Sequence, residues 1–261
     1  PMRGHIRSFG GYRSDLETIL KKVSLTEYPG PHFALAHSAG AAVILSDSTR
    51  LRTMLDRAVL CAPLIGLPDF DVYNPGGVWA KTRRLLNFGR PPAPPTTDYK
   101  SGARNMRERL AFGVSKMMFW LGMGWMYMPG GNGNPFVTFE DNRQTTDRGR
   151  FDRFNKVIEK APELAIASPT AGWLRAAANC MLAFRRRDAG QKVKLPCLII
   201  AAGADRIVCP RAIEEFTSRT RSAGYLEIAG AEHELLTEAD VYRDQFWAAF
   251  DAFVPGSDYE D

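Results

Sequence analysis

Cysteine is scarce in this chain: Cys61, Cys180, Cys197 and Cys209 are the only four in 261 residues, and no two form a C-x-x-C pair. That excludes a disulfide framework and argues for reduced, buried thiols in a cytosolic setting. Long apolar runs are absent as well. The longest candidate, 117–128, is too short to span a bilayer and contains two glycines. No signal peptide is read at the start. Gly130, Gly131 and Gly133 are not followed by G-K-[ST], so they do not make a phosphate loop. The basic residues form no helix with interleaved aromatics. Their densest clusters are Arg83-Arg84 and Arg185-Arg186-Arg187, and no nucleic-acid partner is expected. No metal-ligand cluster or cofactor motif is found, so neither metal nor cofactor is expected.

What is present is ordinary in bulk. A hydrophobic fraction of 45% and a charged fraction of 24% allow a sizeable core without crosslinks. The net charge of +5 leaves an anionic surface or substrate open as a partner.

The pattern of elements is more specific. Residues 8–23 carry Tyr12, Leu16, Ile19, Leu20 and Val23 at helical spacing, with Ser8 as N-cap. "HFALAHS" (32–38) is too short for a helix and reads as a buried strand. "AGAAVILSDSTRLRTML" (39–55) reads as a helix, and "RAVLCAP" (57–63) as a second buried strand. Strand, helix and strand with short joins predict a parallel sheet. Residues 64–190 then show helical periodicity and loops but no convincing strand. They include the proline loop 90–98, a Met- and aromatic-rich stretch at 116–128, and helices marked by Phe151, Phe154, Val157, Ile158 and by Trp173, Ala177, Met181. The sheet pattern returns with strands near 193–205 and 224–234. Helices at 210–220 and 238–254 follow them in turn, the last with Phe246, Phe250 and Phe253 on one side. The expected fold class is α/β, with 1–63 and 191–261 as a discontinuous core and 64–190 as a helical lid insertion.

"LAHSAGAAVIL" (35–45) raises the chemistry. A serine hydroxyl is a weak nucleophile that needs a base and a group to orient that base. A strained strand-to-helix turn that exposes it requires small neighbours, and Ala36, Ala39, Gly40 and Ala41 are small. In this arrangement the acid and then the histidine follow the serine in chain order. Of His5, His32, His37 and His233, only the last lies after Ser38. It falls in the loop after the last strand. Asp205 closes the preceding strand, 28 residues before it. The backbone N–H of Ala39 is the expected first oxyanion donor. His37 is expected to point away from the nucleophile and to pack or hydrogen-bond locally. Glu232 and Glu234 are expected to be solvated, and Asp240 to be a helix-start charge.

Through "LAHSAGA", "LIIAAGADRIV" and "GAEHELLTEAD", the chain resembles the α/β-hydrolase family, and within it the lysophospholipase L2 and monoacylglycerol-lipase-like serine hydrolases. "FEDNRQTTDRGRF" (139–151) and "APELAIASPTAGWL" (161–174) are similar to the lid of the lysophospholipase L2 branch. The resemblance implies Ser38 as nucleophile, Asp205 as acid and His233 as base, in a carboxylic ester hydrolase working through an acyl-enzyme. It also implies N-terminal strands, and a loop carrying the second oxyanion donor, that have no counterpart in this sequence. The chain is therefore expected to begin inside the fold, with that donor missing and its activity open. Met118, Trp120 and Trp125 are candidate substrate contacts, or simply pack the lid. The expected partner is a lipid or small ester, in the cytoplasm, with peripheral contact to an anionic membrane left open. A small-ester carboxylesterase, a proline-type aminopeptidase and a silent truncated hydrolase remain as alternatives.

Overall fold

The computed structural model describes residues 4–69 and 105–255. The proline loop 90–98 and the pair Arg83-Arg84 lie outside the described residues. Strands β1 (Phe33–His37), β2 (Arg57–Cys61), β3 (Cys197–Ala202) and β4 (Ala223–Ile228) form one parallel sheet in the order β1-β2-β3-β4. Register runs Leu35 opposite Val59, Val59 opposite Leu198, and Ile199 opposite Tyr225.

β3, and β2 after Arg57, are apolar throughout because both of their faces are covered. Ala58, Leu60, Cys197, Ile199 and Ala201 join one core cluster. Val59, Cys61, Ile200 and Ala202 join a second on the opposite face, together with Phe246. The first cluster is closed by α1 (Phe9–Ile19), α2 (Ser38–Leu51), α5 (Ala171–Phe184) and α6 (Pro210–Thr217). The second is closed by α7 (Asp240–Phe253), whose Phe246 is fully buried. Burying such a ring contributes about 2–3 kcal/mol. Among the described residues β1 and β4 are the edges of the sheet, and β1 is only partly buried.

Between β2 and β3 lie α3 (Met106–Trp120) and α4 (Arg148–Lys160) as well as α5. Each starts on a side-chain cap. Asn105 accepts from the Glu108 N–H, Asp147 from that of Arg150, and Thr170 from that of Trp173. The buried Glu108 carboxylate then accepts from the Leu67 N–H at 3.1 Å and pairs with Arg185, fastening α3 to the loop after β2.

Two expected helical faces turn out differently. The first helix passes at Leu20–Ser24 into a π-helical turn, which adds a residue and shifts the phase of the next side chains. Leu20 is therefore buried, while Ile19 and Val23 are exposed. Ser8 does precede the helix, but its side chain makes no cap bond. On α4 only Phe151 and Ile158 are buried; Phe154 and Val157 face solvent.

Candidate active site

The join between β1 and α2 is a backbone outlier. Among the described residues only Ser38 and Ala62 combine a side chain with a positive φ, 50° and 41° respectively. A non-glycine residue held there costs on the order of 1–3 kcal/mol, which surrounding packing has to sustain. Here His37 is still extended and Ser38 already opens the helix, so the chain reverses within two residues. The Ser38 carbonyl is held by the Leu64 N–H at 3.1 Å. The small neighbours behave unequally. Ala41 is fully buried, as a close strand–helix approach requires. A Cβ on Gly40 would meet nothing within 4 Å, so packing does not demand glycine there. The Ala39 N–H lies in the first turn of α2, where helical N–H groups have no partner within the helix.

Asp205 follows β3 and is completely buried. Its Oδ1 accepts from the N–H groups of Ile207 at 2.7 Å and Val208 at 2.9 Å. That turn fixes the carboxylate and aims Oδ2 at His233, whose Nδ1 lies 2.6 Å away. His233 follows β4 and is 3% exposed. Burial works to lower its pKa. The charge and hydrogen bond of Asp205, aided by the charge of Glu234, more than offset this and hold it above the ordinary histidine value.

His37 links the Ser38 turn to His233. Its Nε2 donates to the His233 carbonyl at 3.1 Å, and the two rings meet edge to face with centroids 4.5 Å apart. Its Nδ1 lies 3.6 Å from Glu234. Burial, then the charge of His233, pushes the His37 pKa down. This contact is not local, since it spans the chain. The structure thus joins Asp205 and His233 directly and brings in the elbow through His37. Among the described residues no hydrogen bond joins the Ser38 hydroxyl to His233.

The surrounding carboxylates divide. Glu232 is not solvated: Arg206 pairs with it, and burial pushes its carboxyl up against that pull. Asp240 opens α7 as a helix-start charge and accepts from Arg150. Glu238, which sequence reading passed over, is fully buried beside the His233 loop. All four cysteines are free and buried, and burial pushes the Cys61 thiol up to about 12. Such thiols stay protonated and unreactive. Met118 is buried within its helix, while Trp120 and Trp125 are exposed. No hydrogen bond, ion pair or ring contact among the described residues joins any of the three to Ser38, Asp205 or His233. No helix among the described residues is long and apolar enough to cross a membrane.

Residues 1–240 match the family model described as serine aminopeptidase, S33. The chain is 26% identical over 244 residues to the probable lysophospholipase L2 of Haemophilus influenzae, covering 93% of this chain and 66% of that protein. It is 26% identical over 260 residues to lysophospholipase L2 of Escherichia coli K12, covering 93% and 63%. The chain thus spans about two thirds of the length of these curated relatives. Among solved structures it is similar to the monoacylglycerol lipase of Paleococcus ferrophilus, with a TM-score of 0.62 and 15% identity, covering 96% of this chain and 76% of that one. The fold is that of the α/β-hydrolases.

Proposed function

The chain belongs to the serine aminopeptidase S33 family, and from that premise we propose that it carries the nucleophile, acid and base of a serine hydrolase that cleaves carboxylic esters of lipids. The observation that carries the reading is the buried pair of Asp205 and His233 beside a serine held at φ 50°. Sequence relatives named as lysophospholipases support a lysophospholipid as substrate.

In this reading Ser38 Oγ gives its proton to His233 Nε2 as it attacks the ester carbonyl. Asp205 holds the imidazole with Nδ1 protonated and steadies the imidazolium. The Ala39 N–H faces the developing oxyanion. Collapse of the tetrahedral intermediate breaks the bond to the alcohol, which leaves with the proton from His233. Water, deprotonated by His233, then attacks the acyl-enzyme, and the fatty acid departs as Ser38 recovers its proton. The segment holding α3 and α4 serves as the lid over this site, while α5 packs on the sheet. Exposed Trp120, Leu121 and Trp125, with Lys116 over the Trp120 ring, support a lid that meets lipid and touches an anionic membrane surface.

The test is a panel of three substrates against one purified protein: a long-chain lysophospholipid, a short p-nitrophenyl ester and an aminoacyl anilide. The lysophospholipid is expected to be turned over fastest, with all turnover lost in Ser38→Ala. Preference for the anilide overturns the lipid assignment. Failure of a fluorophosphonate to label Ser38 in folded protein overturns the hydrolase reading itself.

A further inference from the structure

The buried carboxylate of Glu238 stands where two chain segments far apart in sequence meet. Its Oε1 accepts from the N–H of Glu232, the residue immediately before His233, at 2.7 Å. Its Oε2 accepts from the Thr146 N–H at 2.9 Å, the Thr146 hydroxyl at 2.6 Å and the Ala239 N–H at 2.9 Å. Thr145 Oγ1 lies 3.3 Å from the same oxygen but donates its single proton to the Thr237 carbonyl at 2.7 Å. Four donors therefore bind a carboxylate that is 0% exposed. Among the described residues no cation lies within ion-pair distance of it. Burying a charge this way is costly unless the donors satisfy it, so the arrangement holds only while both segments keep their places.

The two segments are tied at further points. The Glu234 N–H donates to the Gln144 carbonyl at 2.7 Å. Arg206 donates to the Asn142 carbonyl at 2.9 Å and pairs with Glu232. Arg150 donates to the Glu238 carbonyl and to Asp240. Among the described residues Glu238 is the one side chain that grips both the N–H of Glu232 and Thr146.

We propose that Glu238 is the positioning residue for His233, clamping the base loop to the 142–150 segment so that the imidazole meets Asp205 and Ser38 in register. This rests on the proposed hydrolase function. Glu238 touches no substrate; it acts only through the Glu232 peptide. An amide in its place can accept on one side alone. Its NH2 group must then face a donor, either at Glu232 or at Thr146 and Ala239, so one grip is lost at nearly constant volume.

Two readouts on Glu238→Gln test the proposal. The first is the second-order rate of Ser38 labelling by a fluorophosphonate, measured well below the unfolding temperature. It is expected to fall on the order of ten- to a hundredfold, the scale of an ångström-sized misplacement. The ester kcat should fall with it while KM stays nearly constant. The second readout needs no activity: the NMR titration of the His233 imidazole. Asp205, Glu234, His37 and, through Arg206, Glu232 surround that ring. Loosening the loop weakens the Asp205 contact, so the His233 pKa should move down toward the ordinary value of about 6.5. Thr146→Val, which removes one hydroxyl donor, should shift both readouts the same way by less. Combined with Glu238→Gln it should add little. A Glu238→Gln protein that melts earlier, yet keeps the parent's His233 titration, overturns the proposal and leaves Glu238 a structural residue. A parent that fails to label at Ser38 while Glu238→Gln still moves the titration overturns the hydrolase reading alone.

Discussion

Asp205→Asn isolates the proposed orienting carboxylate with almost no change of shape. Two N–H groups at 2.7 and 2.9 Å hold the residue's Oδ1, so the new amide oxygen stays there and its NH2 group points at His233 Nδ1. The imidazole must then accept at Nδ1 and carry its proton on Nε2, where it can no longer take one from Ser38. Flipping the amide would restore the tautomer but set NH2 against Ile207 and Val208. Leaving those two N–H groups unpaired costs about 1–3 kcal/mol each. Because Ile207 is only partly buried, the two losses come to about 2–4 kcal/mol, and with about 2 kcal/mol for the lost stabilisation of the imidazolium the penalty is about 4–6 kcal/mol, or on the order of 10³- to 10⁴-fold in rate. The assay is fluorophosphonate labelling of Ser38 beside ester turnover, at a pH where the parent's His233 is neutral, with a urea transition to show that the variant is folded. The pH profile should change too. In the parent the acid limb lies above the ordinary histidine value, because Asp205 and Glu234 outweigh burial. In Asp205→Asn it should move down. A folded Asp205→Asn protein that labels within about tenfold of the parent would refute the tautomer argument.

Two stability predictions accompany it. His37→Phe removes the bond to the His233 carbonyl and should cost about 0.5–1.5 kcal/mol at neutral pH by urea midpoint. Because burial, then His233, depresses the His37 pKa, the unfolded chain takes up that proton first and the parent loses stability as pH falls below about 6.5. His233, with its raised pKa, contributes stability that is fully present below about 6.5 and lost at higher pH, equally in parent and variant. The gap between the two proteins should therefore narrow in acid, and a gap that widens refutes the assignment. Glu108→Ala strands the Leu67 N–H and releases the partly exposed Arg185. It should cost about 1–3 kcal/mol, and Glu108→Gln, which can still accept from Leu67, less. Equal losses in the two would show that the carboxamide does not keep that bond.

The sheet could be read from the sequence because each strand is a short, mostly apolar run with a turn behind it, and in β2 and β3, covered on both faces, phase carries no ambiguity; that the edge run "HFALAHS" is only partly buried was not legible. The meeting of Asp205 and His233 was legible for a related reason: each falls in the loop just past a strand, and those strands are neighbours in the sheet. The π-turn at Leu20–Ser24 was not legible, since apolar spacing alone does not reveal an added residue until burial is known. Nor was the role of Glu238. Acidic residues on a loop are usually solvated, and its Thr146 partner is 92 residues away with no periodicity linking them. The same holds for Glu232, whose partner Arg206 lies in a different loop, 26 residues away. Networks closed by side chains across the fold carry no local signature.

The elbow at Ser38 and the imidazole at His233 belong to distant parts of the chain, and the sheet meets between them only when β2 pairs with β3 across residues 62–196. During synthesis the Ser38 hydroxyl leaves the ribosome long before the His233 imidazole. With Ser38 as nucleophile and His233 as base, a nascent or half-folded chain is chemically inert towards esters, however well its early strands have formed. Covalent capture of Ser38 would then serve as a late clock, marking the moment when β4 and its loop dock rather than the first collapse of the core.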